Sequence, residues 1–108
     1  MNLETSTGVD IDSSVLENYF KSLINSFFKI LPMKEQNENS LDKYIKSLQI
    51  ELLGCKNLMV ALNNDALFIS LLSVLQYLID NPQSEQKLVK REVFKCISIC
   101  NKLRDRLD

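Results

Sequence analysis

Histidine is missing altogether from these 108 residues. Its absence removes the commonest general base, the Ser-His and Cys-His nucleophile pairs and the usual zinc ligand. Glycine is nearly as scarce. Gly8 and Gly54 stand far apart, so neither a phosphate-cradling loop nor a dinucleotide fingerprint can be built. No apolar run approaches the roughly 20 residues that span a bilayer, which excludes a transmembrane helix. The start, Met1-Asn2-Leu3-Glu4, lacks the basic and apolar stretches of a signal peptide. Three cysteines are an odd count and too few for a disulfide scaffold. A cytoplasmic, non-enzymatic protein is the expectation.

What is present is ordinary for a globular domain: 45% apolar residues, 25% charged residues and a net charge of −1. Such a chain is one domain, with no strong overall pull toward nucleic acid or anionic membranes. With two glycines and two prolines, helix is favoured over tight turns and strands.

Four periodic segments emerge, at about 14–31, 41–62, 66–80 and 85–105. In the first, Val15, Tyr19, Leu23, Phe27 and Ile30 share one helical face, Ser14 and Glu17 have capping-box spacing, and Asp12 and Ser13 are alternative caps. Pro32 is expected to end this helix, with a polar loop from Met33 to Asn39. In the second, Leu41, Ile45, Leu48, Leu52, Cys55, Met59 and Leu62 alternate steps of four and three, the seam of a bundle, after a cap at Ser40. Gly54 inside it suggests close approach of another backbone, or else a kink. The third, capped by Asn64 or Asp65, is apolar over half its circumference: Leu67, Leu71, Val74 and Leu78 in one line, Phe68, Leu72, Leu75 and Ile79 in the next. The fourth, with Ser84 as its expected cap, repeats the rhythm at Val89, Val93, Cys96, Cys100, Leu103 and Leu107. Short connections imply antiparallel neighbours, hence an all-α, up-and-down four-helix bundle over 13–108 after a flexible segment at 1–12.

No catalytic residue, cofactor site or metal site is expected. Glu51 and Asp80 read as solvated surface charges. Cys55, Cys96 and Cys100 would form a thiolate metal or redox site only if their helices brought all three together; otherwise they are small core residues. The candidate partner surface is instead apolar. Phe20, Ile24, Phe28 and Leu31 extend the first segment's apolar arc beyond one seam, unless the following loop covers them or the bundle is simply wide. Phe94 falls on the polar face of the last segment among Lys90 and Arg91.

Charge is uneven. Residues 1–42 carry three basic and seven acidic side chains, and residues 85–108 carry seven basic and four acidic ones. The basic set, Lys87, Lys90, Arg91, Lys95, Lys102, Arg104 and Arg106, suits an acidic partner, a nucleic acid backbone or the helix dipole itself.

The leading expectation is a protein-interaction module that binds and modulates another macromolecule. Its alternatives are a self-assembling homodimer using Ile24 and Phe28, a thiolate sensor, and nucleic-acid binding through the last helix. In size and four-helix rhythm the chain resembles small bacterial immunity proteins, a resemblance that implies a toxin-like protein as partner. Small phage or mobile-element regulators share the same features.

Overall fold

The computed structural model describes residues 2–107. Four long helices, α1 (Ser13–Phe28), α3 (Leu41–Leu58), α4 (Ala66–Asp80) and α5 (Gln86–Asp105), pack as an all-α bundle, with a short α2 (Ile30–Glu35) continuing α1. Two contacts fix the antiparallel sense of α1 and α5: Glu17 meets Arg104, while Phe28, near the other end of α1, meets Phe94. The closest packing joins α1 to α5, α5 to α4 and α4 to α3. The fourth side, between α1 and α3, is looser and is bridged where the Tyr44 hydroxyl donates to the Ser26 carbonyl at 2.8 Å.

The first helix departs from expectation at Pro32. Instead of ending the helix, the proline kinks it. Lacking an N–H, Pro32 cannot donate to Phe28 four residues earlier, and its ring crowds that carbonyl. The break falls at Lys29, and Pro32 then sits in the first turn of α2, where a missing donor costs nothing. The polar loop expected from Met33 is therefore helical to Glu35. It closes in a Schellman motif: Asn37 takes φ 52°, its N–H bonds to Lys34 O, and the Glu38 N–H bonds to Met33 O.

The N-terminal residues, expected to be flexible, form an antiparallel hairpin of β1 (Asn2–Glu4) and β2 (Asp10–Asp12). Gly8, at φ 84°, supplies the left-handed position its loop needs. Leu3 and Ile11 pack on the helical core, and Thr5 bridges to Met59. The Ser6 N–H takes the carbonyl of Leu58 at 2.7 Å, satisfying an acceptor that the end of α3 leaves free. That contact accounts for α3 stopping at Leu58 rather than Leu62: Met59 turns extended, and Val60–Leu62 form a single 3₁₀ turn.

Caps follow the sequence in part. Asp12 accepts from the Ser14 N–H, and Asp65 accepts from Leu67 and Phe68. Ser40 makes no capping bond. Ser84 bonds instead to the Asn81 carbonyl, leaving Glu85 at the start of α5.

Most seam residues are buried as the periodicity requires, but the stripe of α1 is rotated. Leu16, Phe20, Leu23, Phe27 and Ile30 are buried, whereas Val15 is 55% exposed and Tyr19 half-buried. Because α1 packs chiefly on α5, its inward face swings toward that neighbour and away from α3. Gly54 is not a site of close approach: among the described residues, and apart from its own helix backbone, no heavy atom lies within 4 Å of a Cβ built there. Gly54→Ala should therefore raise the unfolding free energy by up to about 1 kcal/mol in a urea titration. Phe20→Ala, at a core position 1% exposed, should lower it by about 3–5 kcal/mol.

Candidate functional site

The seam between α1 and α5 joins two residues that the sequence singles out separately. Phe28 is 42% exposed and Phe94 is 43% exposed, yet their rings meet edge to face at a centroid distance of 6.0 Å and an interplanar angle of 82°. Each helix supplies one ring from its outer edge, and the antiparallel register brings them level. The arrangement is favourable for aromatic quadrupoles, worth about 0.5–1.5 kcal/mol beyond burial. It also holds a preformed apolar surface open to solvent.

The other expected surface residues divide. Ile24 and Leu31 are half-buried and rest on the core beside Phe28 in sequence. Phe20 is not a surface residue: it lies in the core with its ring centroid 6.5 Å from that of Phe68. Lys90 and Arg91 are exposed on α5, within one helical turn before Phe94.

The basic set is less free than its composition suggests. Arg91 and Lys95 both reach Glu92, at 3.2 and 3.3 Å, and Glu92 itself is only 5% exposed. Arg104 lies 4.0 Å from Glu17, and Arg106 pairs with Asp65. Four of the seven cations are thus engaged within the chain. Glu92 was legible only as a charge interleaved with cations. Its burial reflects its place one turn before the buried Cys96 on α5.

Among the described residues, no group of three His, Cys, Asp or Glu side chains is placed to hold a metal. Cys96 and Cys100 are buried and Cys55 half-buried, all three as free thiols. Burial pushes Cys55 up to about 11 and Cys100 up to about 12, and it raises Cys96 as well. Thiols so placed are poor nucleophiles near neutrality.

A second concave feature lies on the loose α1–α3 side. A cavity of about 260 Å³ is lined by Ile11, Val15, Tyr19, Glu51, Cys55 and Leu58, with Leu16 and Met59 at its floor. The Tyr19 hydroxyl is buried and has no hydrogen-bond partner among the described residues, and desolvation raises its pKa. The sequence placed Tyr19 and Cys55 on core seams; the rotation of α1 carries Tyr19 off its seam, and Cys55 of α3 is left half-buried in the opposite wall.

No protein family matches this chain, and neither a curated protein nor a solved structure is similar to it.

The raised thiols carry a sign. Folded-state values above the ordinary thiol range mean that the folded chain holds these protons more tightly than the unfolded one. Their contribution to stability is complete below the unfolded value of about 9 and is lost as pH rises through the folded values. Unfolding free energy should thus fall from about pH 9 toward pH 12, and Cys96→Ala with Cys100→Ala should flatten that fall, as read by denaturant titration at each pH.

Proposed function

We propose that this chain is a non-enzymatic protein-interaction module whose docking surface is the Phe28–Phe94 pair, rimmed by Ile24, Leu31, Lys90 and Arg91. The observation that carries this reading is the exposed, edge-to-face pair itself. Two large rings at one seam, each more than two-fifths exposed, leave apolar surface in water that a partner would remove. Aromatic and arginine side chains are also the types that most often anchor protein interfaces. A cytoplasmic setting belongs to the proposal and rests on the free thiols, which suit a reducing compartment. So does a role as a small bacterial or phage regulator, which rests on size and architecture alone.

The internal pairing of Arg91, Lys95, Arg104 and Arg106 counts against nucleic acid as the partner, since paired cations release fewer counterions on binding. A second copy of the chain remains the other protein that the surface would accept, through an isologous contact of the same rings.

Phe28→Asp and Phe94→Asp separate these outcomes. Both variants should remain folded by circular dichroism and lose capture of a partner from a lysate of the source cell by more than about tenfold, because truncating a central anchor costs about 2 kcal/mol or more. Light scattering over a concentration series identifies a self-partner: a wild-type dimer that both variants convert to monomer assigns the surface to homodimerisation. Monomeric wild type whose captured partner is retained by both variants would remove the proposal.

A further inference from the structure

We propose that the N-terminal hairpin is a strap that lifts off the bundle as one piece while the helices stay folded, and that its lifting opens the recess around Cys55. The strap sits at the other end of α1 from Phe28 and does not rest on the docking surface above. Its attachment is slight. A lone two-stranded hairpin is marginally stable in water, so this one depends on what it touches. It gives the core no fully buried apolar side chain, since Leu3 and Ile11 are only partly buried. Its backbone ties to the helices, among the described residues, are the Ser6–Leu58 hydrogen bond and the adjoining Thr5–Met59 bridge.

Two apolar recesses undercut the strap. In the antiparallel register Leu3 lies opposite Ile11, so both side chains leave the same face. Ile11 borders the cavity of about 260 Å³ between α1 and α3. Leu3 borders a second, of about 220 Å³, with Phe20, Leu62 and Leu103, and Leu16 lines both. The Leu3–Ile11 pair is therefore a wedge with a recess on either side, without the enclosing contacts that make a core residue costly to withdraw. Segments with so few buried apolar contacts open at the low end of the native free-energy scale.

The bonds inside the strap travel with it. Buried Thr5 donates both its hydroxyl and its N–H to the Val9 carbonyl, and the Gly8 N–H returns to the Thr5 carbonyl. The hinge falls at Asp12, which is extended and caps α1 through the Ser14 N–H, so rotation there leaves the helix intact. Cys55 reports the motion. It lies one helical turn before Met59, where the strap attaches, and shares its recess with Ile11. With the strap down, burial pushes its thiol up to about 11, so near neutrality the reaction runs through the lifted state.

The test compares wild type with Gly8→Ala. Gly8 holds φ 84°, and among the described residues nothing beyond its chain neighbours lies within 4 Å of a Cβ built there. The substitution therefore weakens the strap through backbone conformation alone. It should raise the lifted population roughly tenfold, the penalty of one left-handed residue that is not glycine. Ser6 amide exchange, read by NMR, and Cys55 alkylation by N-ethylmaleimide near neutral pH, located by mass spectrometry, should both accelerate by that factor. In wild type both rates should be insensitive to urea below the unfolding transition, with Cys96 and Cys100 protected, because lifting exposes little surface. Three results would each overturn the assignment: Ser6 exchange as slow as that of buried α4 amides, Cys96 reacting in step with Cys55, or Cys55 alkylation unchanged by Gly8→Ala. The last would mean that the recess opens without the strap.

Discussion

The molecule is organised around one buried stripe on its first helix. Phe20 and Phe27 are fully enclosed, with Phe20 against Phe68 of α4, and Leu16, Leu23 and Ile30 complete the line. Each such side chain contributes about 1.5–3 kcal/mol on burial, so this stripe decides how α1 is turned about its own axis. Every surface feature of α1 follows from that rotation. Phe28 is carried to the α5 side, where Phe94 meets it, and Val15 and Tyr19 are carried to the α3 side, where no helix closes over them.

The helical architecture was legible because periodicity is a local property: a residue repeats its environment every three or four positions whatever its neighbours are. Leu48, Leu52, Leu71, Leu75, Val93 and Cys100 all lie where the rhythm puts them. The orientation of a helix within the bundle is not local. Tyr19 and Phe20 are adjacent, both aromatic and both compatible with a seam, and only the choice of α5 as the closer neighbour makes Phe20 the core residue. The hairpin was hidden for a similar reason. Its strands are three residues each, too short to show alternation, and its anchor is a helix end far along the chain. Pro32 breaks a helix interior as a rule, but in the first turn of α2 its missing N–H costs nothing, and no local pattern marks that turn.

The same distinction runs through the candidate sites. Phe28 and Phe94 stood out individually as apolar residues beyond what a seam requires, but their meeting depended on antiparallel register, a tertiary fact. The thiols, ambiguous in sequence, differ in depth. Burial favours their protonated form and separates Cys55, in a cleft wall, from the two enclosed in α5. Cationic composition in α5 overstated what is offered to solvent, because Glu17, Asp65 and Glu92 hold four of its charges internally.

The pairing of α1 with α5 also bears on how the chain reaches this state. The connections between α3, α4 and α5 are short, so those helices meet with little loss of chain entropy. Phe28 and Phe94, by contrast, are separated by more than half of the sequence. Each doubling of a closing loop costs about 0.6 kcal/mol, a charge borne before any contact is made. Local helix pairs therefore gain a kinetic lead, and the seam that carries the exposed rings is among the last to zip. Until it does, the phenylalanines of α1 have no core to enter, and crowding during synthesis is most hazardous at that stage.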